Sequence, residues 1–122
     1  MKGLIGMNKN QDSLAYLITA EQLGISEAAP GTSLMNVLIH ALTQHSIVPS
    51  SILLVNTAVR LVTEYSEALE DMKALSERGC DIVSCGTCVN FYGLTDKFRV
   101  GRMTNMLEIT EILSAATRTV TL

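Results

Sequence analysis

Two cysteines three positions apart, Cys85 and Cys88, carry the clearest chemical potential in this chain. They directly follow a short strand-like run, Asp81 to Val83. A sulfur placed where a strand ends and a helix begins faces unpaired backbone N–H groups and the positive end of the helix dipole. Both favour the thiolate, which is the nucleophilic form of cysteine. The segment therefore predicts thiol chemistry.

Several uses of this pair are open. A zinc site needs two further ligands, and the candidates, Cys80, His40 and His45, are predicted to lie elsewhere, so no metal or cofactor is expected. A dithiol exchanger usually has this motif at the start of a long helix, whereas here Gly93 ends the helical pattern within two turns. A sulfur carrier needs only one reactive thiol. Cys88 as a packing residue is the remaining alternative.

Four residues are expected to surround the reactive sulfur. The backbone amides of Gly86 and Thr87 are predicted to stabilise an anion, because glycine lets the backbone approach a ligand closely. Asn56 follows another apolar run and is predicted to form a polar wall at the adjacent strand end. Arg102, which follows the Cys loop together with Lys97 and Arg99, is predicted to be the cationic neighbour.

The elements that must position these residues alternate between strand and helix patterns. Strands are predicted at 14–18, 52–55, 80–84 and 117–122, and helices from 32 or 33, at 64–78, at 88–92 and after Asn105. This alternation predicts an α/β fold with a mainly parallel sheet. In such sheets ligands bind beyond the carboxyl ends of the strands, which here means the loops 20–24, 56–59, 85–88 and 101–105.

The first helix has an apolar stripe at helical spacing. Its members are Leu34, Val37, Leu38, Ala41 and Leu42. This spacing predicts that they face the core.

Composition excludes several classes of function. The chain has 122 residues and a formal net charge of −3 without a basic run, so nucleic acid is not an expected partner. Polar residues interrupt the longest apolar stretch, and no membrane span is predicted. Three cysteines do not make a disulfide framework, which indicates a reducing cytoplasm. Residues 1–13 are interpreted as a flexible leader or linker remnant, and 14–122 as one domain.

Residues 79–94, Gly-Cys-Asp-Ile-Val-Ser-Cys-Gly-Thr-Cys-Val-Asn-Phe-Tyr-Gly-Leu, resemble the signature of the DsrE/DsrF-like domain. The similarity is to the subgroup at the C-terminus of YedF-type proteins, which are sulfurtransferase-like and linked to selenium metabolism. Residues 52–59 and 100–106 extend the resemblance, which covers roughly residues 14 to 122. It implies a flavodoxin-like three-layer sandwich of about five strands that forms oligomers, most simply homo-oligomers.

The resemblance also implies a chemistry. In sulfur-relay members of the wider family one cysteine after the third strand accepts persulfide sulfur, and the matching position is Cys85. Cys88 belongs to the YedF-type pattern, where a resolving thiol and a packing residue are both open roles. The expected function is a carrier or transferase subunit for sulfur, or for selenium, in an intracellular relay. A non-catalytic oligomeric binding or scaffold subunit and a dithiol redox protein using both cysteines are the alternatives.

The expected partners are a sulfur donor and a sulfur acceptor protein. YedF-type proteins usually carry an N-terminal TusA-like domain with a Cys-Pro-x-Pro motif. Residues 1–13 are too short for that domain and contain no Cys-Pro pair. The chain is therefore expected to be either an excised domain or a protein whose TusA-like partner is a separate chain.

Overall fold

The fold is seen in a computed structural model that describes residues 13–24 and 31–122. The predicted leader lies outside the described residues except for Ser13. The carbonyl oxygen of Ser13 accepts hydrogen bonds from the backbone N–H groups of Thr117 and Arg118. This residue is therefore tied to the start of the last strand.

The strands form one parallel sheet. They are β1 (Leu14–Ile18), β2 (Ser51–Leu54), β3 (Asp81–Cys85), β4 (Arg102–Thr104) and β5 (Arg118–Thr121). Their order is β4-β3-β2-β1-β5, and every pairing is parallel. The predicted α/β class with a parallel sheet of five strands is confirmed. In flavodoxin β2 occupies the edge beside β1, whereas here β5 does.

Helices cover both faces of this sheet and complete three layers. They are α1 (Gly31–Thr43), α2 (Leu69–Glu77), α3 (Gly86–Phe91) and α4 (Met106–Ala115), with 3-10 segments at Asn56–Val62 and Thr95–Lys97. No helix in the described ranges is long and apolar enough to cross a membrane.

Side-chain alternation along the strands divides the core between the two faces. Ile52 and Leu54 belong to a large cluster with α1, α2 and the first 3-10 segment. Leu53 and Val83 point to the opposite face and pack with Ile109 of α4. All four residues of β2 are buried, which explains why Ile52, Leu53 and Leu54 form a continuous apolar run rather than an alternating pattern.

The buried stripe of α1 differs from the predicted one. The structure buries Met35, Ile39 and Leu42, while Leu34 and Val37 are 44% and 63% exposed. Both stripes have helical spacing, because apolar residues surround most of this helix. Periodicity therefore predicted the helix, but it did not determine which side faces the sheet.

Two further elements differ from the sequence-based prediction. Residues 56–62 form a 3-10 helix, and the second α-helix begins at Leu69 rather than near 64. The three-residue strand β4 was not predicted as a strand. A segment this short shows no alternation, and it becomes a strand because the edge of β3 offers hydrogen-bonding partners.

Candidate functional site

The two cysteines of the motif lie where β3 passes directly into α3. Cys85 is the last residue of the strand and the residue before the helix, and Cys88 lies in the first turn. Cys85 is paired in register with Thr104 at the end of β4. Both cysteines therefore lie at the carboxyl edge of the sheet, where the sequence predicted a site.

The two thiols have different environments. Cys85 is 4% exposed and packs with Leu53, Val83 and Ile109 in the cluster beneath α4. Cys88 is only half-buried and packs against the clusters on both faces. Neither thiol is in a disulfide. The more accessible sulfur of the pair is thus Cys88.

Cys88 lines an open hollow of about 260 Å³, here called the Cys88 hollow. Its other lining residues are Asn56, Thr87, Phe91 and Tyr92. The Phe91 ring is 80% exposed at the rim and meets the Tyr92 ring edge to face, with 5.0 Å between centroids. The hollow has room for a small molecule or a side chain of a partner protein.

Asn56 contacts the sulfur through its backbone rather than its side chain. Its backbone N–H donates a hydrogen bond to the Cys88 Sγ, with an N–S distance of 3.2 Å. Asn56 has a φ of 53°, the only positive φ of a non-glycine residue in the described part of the chain. Asparagine is among the few residues that adopt this conformation readily. The structure thus brings Asn56 beside Cys88 and directs its backbone amide at the thiol, while its role in binding stays a prediction.

The pKa of Cys88 is raised above the ordinary cysteine value. Burial is the largest cause, and the neighbouring Cys85 thiol raises the pKa further. The Asn56 N–H lowers it but does not outweigh these effects. The sequence-based argument that a helix start favours the thiolate is therefore wrong for Cys88.

The two residues that are predicted to stabilise an anion, Gly86 and Thr87, have different surroundings. Thr87 lines the Cys88 hollow. Gly86 permits a close approach of two backbones, because a Cβ at this position would lie 3.3 Å from the Thr104 carbonyl oxygen. The glycine therefore allows β4 to pack beside the Cys loop, and a role of its amide in binding an anion stays a prediction.

Arg102 does not join the cysteines. Its guanidinium lies 2.9 Å from the Asp81 carboxylate and 2.7 Å from the Glu108 carboxylate. Asp81 begins β3, so the guanidinium reaches towards the end of the strand opposite Cys85. Hydrogen bonds from Arg102, and secondly from the Thr104 hydroxyl, lower the pKa of Glu108 to about 2. The structure thus assigns Arg102 to an ion-pair network that joins β3, β4 and α4.

A different cation, Arg60, lies nearer the site. Its guanidinium is 4.7 Å from the centre of the Tyr92 ring and 2.9 Å from the Glu21 carboxylate. Arg60 also lines a neighbouring cleft of about 370 Å³. Sequence reasoning missed it, although it directly follows the predicted loop 56–59. The unpredicted 3-10 helix positions this side chain against Tyr92.

The remaining cysteine is separate from the pair. Cys80 directly precedes β3, is buried, and has a pKa raised to about 12, mainly by burial. Within residues 13–24 and 31–122, no three potential metal-binding side chains of His, Cys, Asp or Glu lie together.

Comparison with known proteins supports the fold and leaves the family open. No protein-family description and no curated protein matches the chain. Among solved structures, it is similar to the YchN protein of E. coli, with a TM-score of 0.69, 13% identity and coverage of 92% of this chain and 100% of YchN. The protein of unknown function MTH1491 from Methanobacterium thermoautotrophicum also has a TM-score of 0.69, at 12% identity, with coverage of 92% of this chain and 100% of that one. The chain therefore has a YchN-like fold.

Proposed function

We propose that this chain is a DsrE/DsrF-like carrier or transferase subunit that accepts persulfide sulfur, or the corresponding selenium, at the Cys85–Cys88 pair. The observation that carries the proposal is the pair of adjacent thiols at the carboxyl edge of a parallel sheet. One thiol is open to a small hollow and accepts a backbone hydrogen bond. Ligands of parallel α/β sheets bind at this edge.

The proposed chemistry is a sulfur transfer between thiols. A cysteine thiolate of this chain attacks the outer sulfur of a donor persulfide, the donor S–S bond breaks, and the donor leaves as a thiolate. The product is a persulfide on this chain. An acceptor thiolate then attacks its outer sulfur and regenerates the cysteine. No cofactor is required for either step.

The site residues have roles in this scheme. The Asn56 N–H stabilises the negative charge that develops on the Cys88 sulfur, and Thr87 and Tyr92 form walls of the space that receives the incoming sulfur. The resemblance assigns the accepting role to Cys85. Its burial argues that Cys88 is the thiol an incoming sulfur meets first.

The proposed partners are proteins that donate and accept sulfur, one of which carries a TusA-like domain. The chain is also proposed to form homo-oligomers in a reducing cytoplasm, where the thiols stay free. The hollow is too small for a folded domain. A partner would therefore insert only a cysteine-bearing tip or tail.

Sulfur uptake tests this proposal. The protein is incubated with a cysteine desulfurase and cysteine, and its intact mass is recorded under non-reducing conditions. Three proteins are compared: the wild type, Cys85→Ser and Cys88→Ser. We expect at least one of them to gain one sulfur atom that dithiothreitol removes. The double variant should gain none, and Cys80→Ser should behave as the wild type. If no protein gains sulfur although all are folded with free thiols, the proposal is wrong.

A non-catalytic binding or scaffold subunit is the second candidate. The raised pKa of Cys88 favours it, because a thiol that holds its proton is a weaker nucleophile. Exposed apolar residues at the start of α4 also suit an assembling subunit. Self-association without any sulfur uptake would support this alternative.

A further inference from the structure

We infer that the two cysteines act in sequence: Cys88 accepts the sulfur, and Cys85 then resolves the persulfide by forming a disulfide and releasing hydrosulfide. This inference rests on the proposed function. It assigns an outcome to the bound sulfur that simple transfer to a protein acceptor does not include.

The first step follows from access. The lining of the Cys88 hollow includes Cys88 and does not include Cys85. Cys85 is almost fully covered by Leu53, Val83 and Ile109. A donor sulfur that enters through the hollow therefore reaches Cys88 before Cys85.

The second step follows from the position of Cys85. It is the residue before α3, three positions from Cys88, and the pair therefore has the spacing found in dithiol motifs at helix starts. Cys85 is also close enough to Cys88 to affect its pKa. The third cysteine, Cys80, directly precedes the opposite end of β3, about 16–17 Å from Cys85 along an extended strand. Cys85 is thus the resolving thiol that the fold supplies.

The arrangement also gives a direction to the attack. Cys88 lies between the buried Cys85 and the open hollow, because it packs with the core cluster of Cys85 and lines the hollow. A sulfur added from the hollow is on the side of Cys88 away from Cys85. Attack by Cys85 on the Cys88 Sγ therefore comes from the core side, and the departing sulfur leaves through the hollow towards solvent.

The step balances without another reagent. The Cys85 thiol loses its proton and its sulfur attacks the Cys88 Sγ of the Cys88 persulfide anion. The bond between Cys88 Sγ and the added sulfur breaks, and the added sulfur takes the proton and leaves as hydrosulfide. The two cysteine thiols are oxidised to a disulfide, and the sulfane sulfur is reduced to sulfide. A thiol or dithiol reductant must reduce the disulfide before the next turnover.

A single-turnover measurement tests the order of the two cysteines. Reduced protein, freed of reductant, is mixed with one equivalent of cysteine persulfide, and hydrosulfide and intact mass are followed together. The wild type should release about one equivalent of hydrosulfide and lose two hydrogens. Cys85→Ser should keep the added sulfur on Cys88 and release no more hydrosulfide than the reagent alone. Cys80→Ser is the matched control and should behave as the wild type.

Folding of the variants is checked by circular dichroism, and Cys85→Ala is a second form in case serine disturbs the buried position. The inference is overturned if the wild type stably keeps the added sulfur, or if Cys85→Ser releases hydrosulfide as the wild type does. It is also overturned if Cys88→Ser takes up sulfur and Cys85→Ser does not. In these cases sulfur uptake, and with it the proposed function, remains. Absence of uptake in the wild type and in both single variants overturns both.

Discussion

At the scale of single residues, the site depends on a difference between two thiols that look equivalent in the sequence. Cys85 is the last residue of a strand, and its side chain packs beneath α4. Cys88 lies in the first turn of the following helix, and its side chain lines the Cys88 hollow. Asn56 strengthens the difference, because its left-handed backbone directs an N–H at one sulfur. Such a conformation persists where surrounding structure holds it. The asymmetry is what allows two distinct chemical roles.

The pH dependence of Cys88 is the first prediction. Burial and the Cys85 thiol raise its pKa, so the thiolate is depleted at neutral pH relative to an ordinary cysteine. We expect the rate of its alkylation by iodoacetamide to rise through a pKa above the usual value of about 8.5. The measurement is alkylation against pH, resolved by peptide mass spectrometry.

Two variants sharpen this measurement. In Cys85→Ser one cause of the raised pKa is gone, so the Cys88 profile should move to lower pH. In Cys80→Ser it should stay unchanged, since Cys80 lies at the far end of the strand. In the wild type Cys80 should be the slowest thiol, as its pKa is about 12. A Cys88 profile centred below the ordinary cysteine pKa would contradict the expectation.

At the scale of elements, the short strand β4 lies beside the Cys85 end of β3 and forms one side of the candidate site. Its last residue, Thr104, pairs in register with Cys85, and Gly86 allows the two backbones to approach. Arg102 holds the strand to Asp81 of β3 and Glu108 of α4. The residue predicted to activate the thiol therefore contributes to the position of the elements around it.

The turn into β4 gives the second prediction. Gly101 has a φ of 81°, and a Cβ there would lie 2.3 Å from the Ile82 carbonyl oxygen. Gly24 has a similar φ of 78°, and among the described residues no atom beyond its chain neighbours would lie within 4 Å of a Cβ there. We expect Gly24→Ala to lower the free energy of unfolding by about 1–2 kcal/mol, the usual cost of a left-handed non-glycine residue. Gly101→Ala should cost about 1–3 kcal/mol more, because the backbone must move.

Urea unfolding of the two variants measures the difference, because the shared backbone conformation cancels between them. If β4 moves away from Cys85, the Gly101→Ala variant should also alkylate faster at Cys85 than the Gly24→Ala variant. Equal losses of stability in both variants would show that the close contact with Ile82 does not constrain β4.

At the scale of the whole molecule, the two faces of the sheet are covered unequally. In residues 13–24 and 31–122, one face packs against α1, α2, α3 and the first 3-10 segment, whereas the other is covered mainly by α4. Leu17 and Val55 on the second face are only partly buried, and Met103, Met106 and Leu107 are exposed at the corner of β4 and α4. Clustered exposed apolar residues are typical of interaction surfaces.

Self-association through this corner is the third prediction. We expect the protein to be oligomeric in solution, and Leu107→Glu to shift it towards the monomer, because a buried unpaired carboxylate opposes the contact. Leu107 is 68% exposed, and Val37 on α1 is 63% exposed. Val37→Glu is therefore a matched control that should leave the oligomer intact. Light scattering after size exclusion gives the mass.

Two results would contradict this prediction. A wild type that is monomeric at all concentrations would exclude self-association. Equal dissociation by Leu107→Glu and Val37→Glu would place the contact elsewhere. Neither result depends on whether the protein takes up sulfur, so neither tests the proposed function.

The sequence by itself determined the fold class and the position of the two cysteines within it. Continuous apolar runs at β2 and β3 and alternation with helical patterns are local signals, and they were sufficient for a parallel α/β sheet with the cysteines at its carboxyl edge. The start of α4 after Asn105 was also predicted, and there the Asn105 side chain accepts a hydrogen bond from the Glu108 N–H. These features depend on neighbours in the chain.

The tertiary structure alone decided which thiol is exposed and which cation is nearby. The burial of Cys85 depends on Ile109 of α4. The raised pKa of Cys88 depends on desolvation by segments that are distant in sequence. The placement of Arg60 depends on a 3-10 helix that has no periodic signal in the sequence. The same holds for Arg102, whose carboxylate partners are fixed by strand register. Exposure and charge environment are sums over contacts between residues far apart in sequence, so local patterns do not contain them.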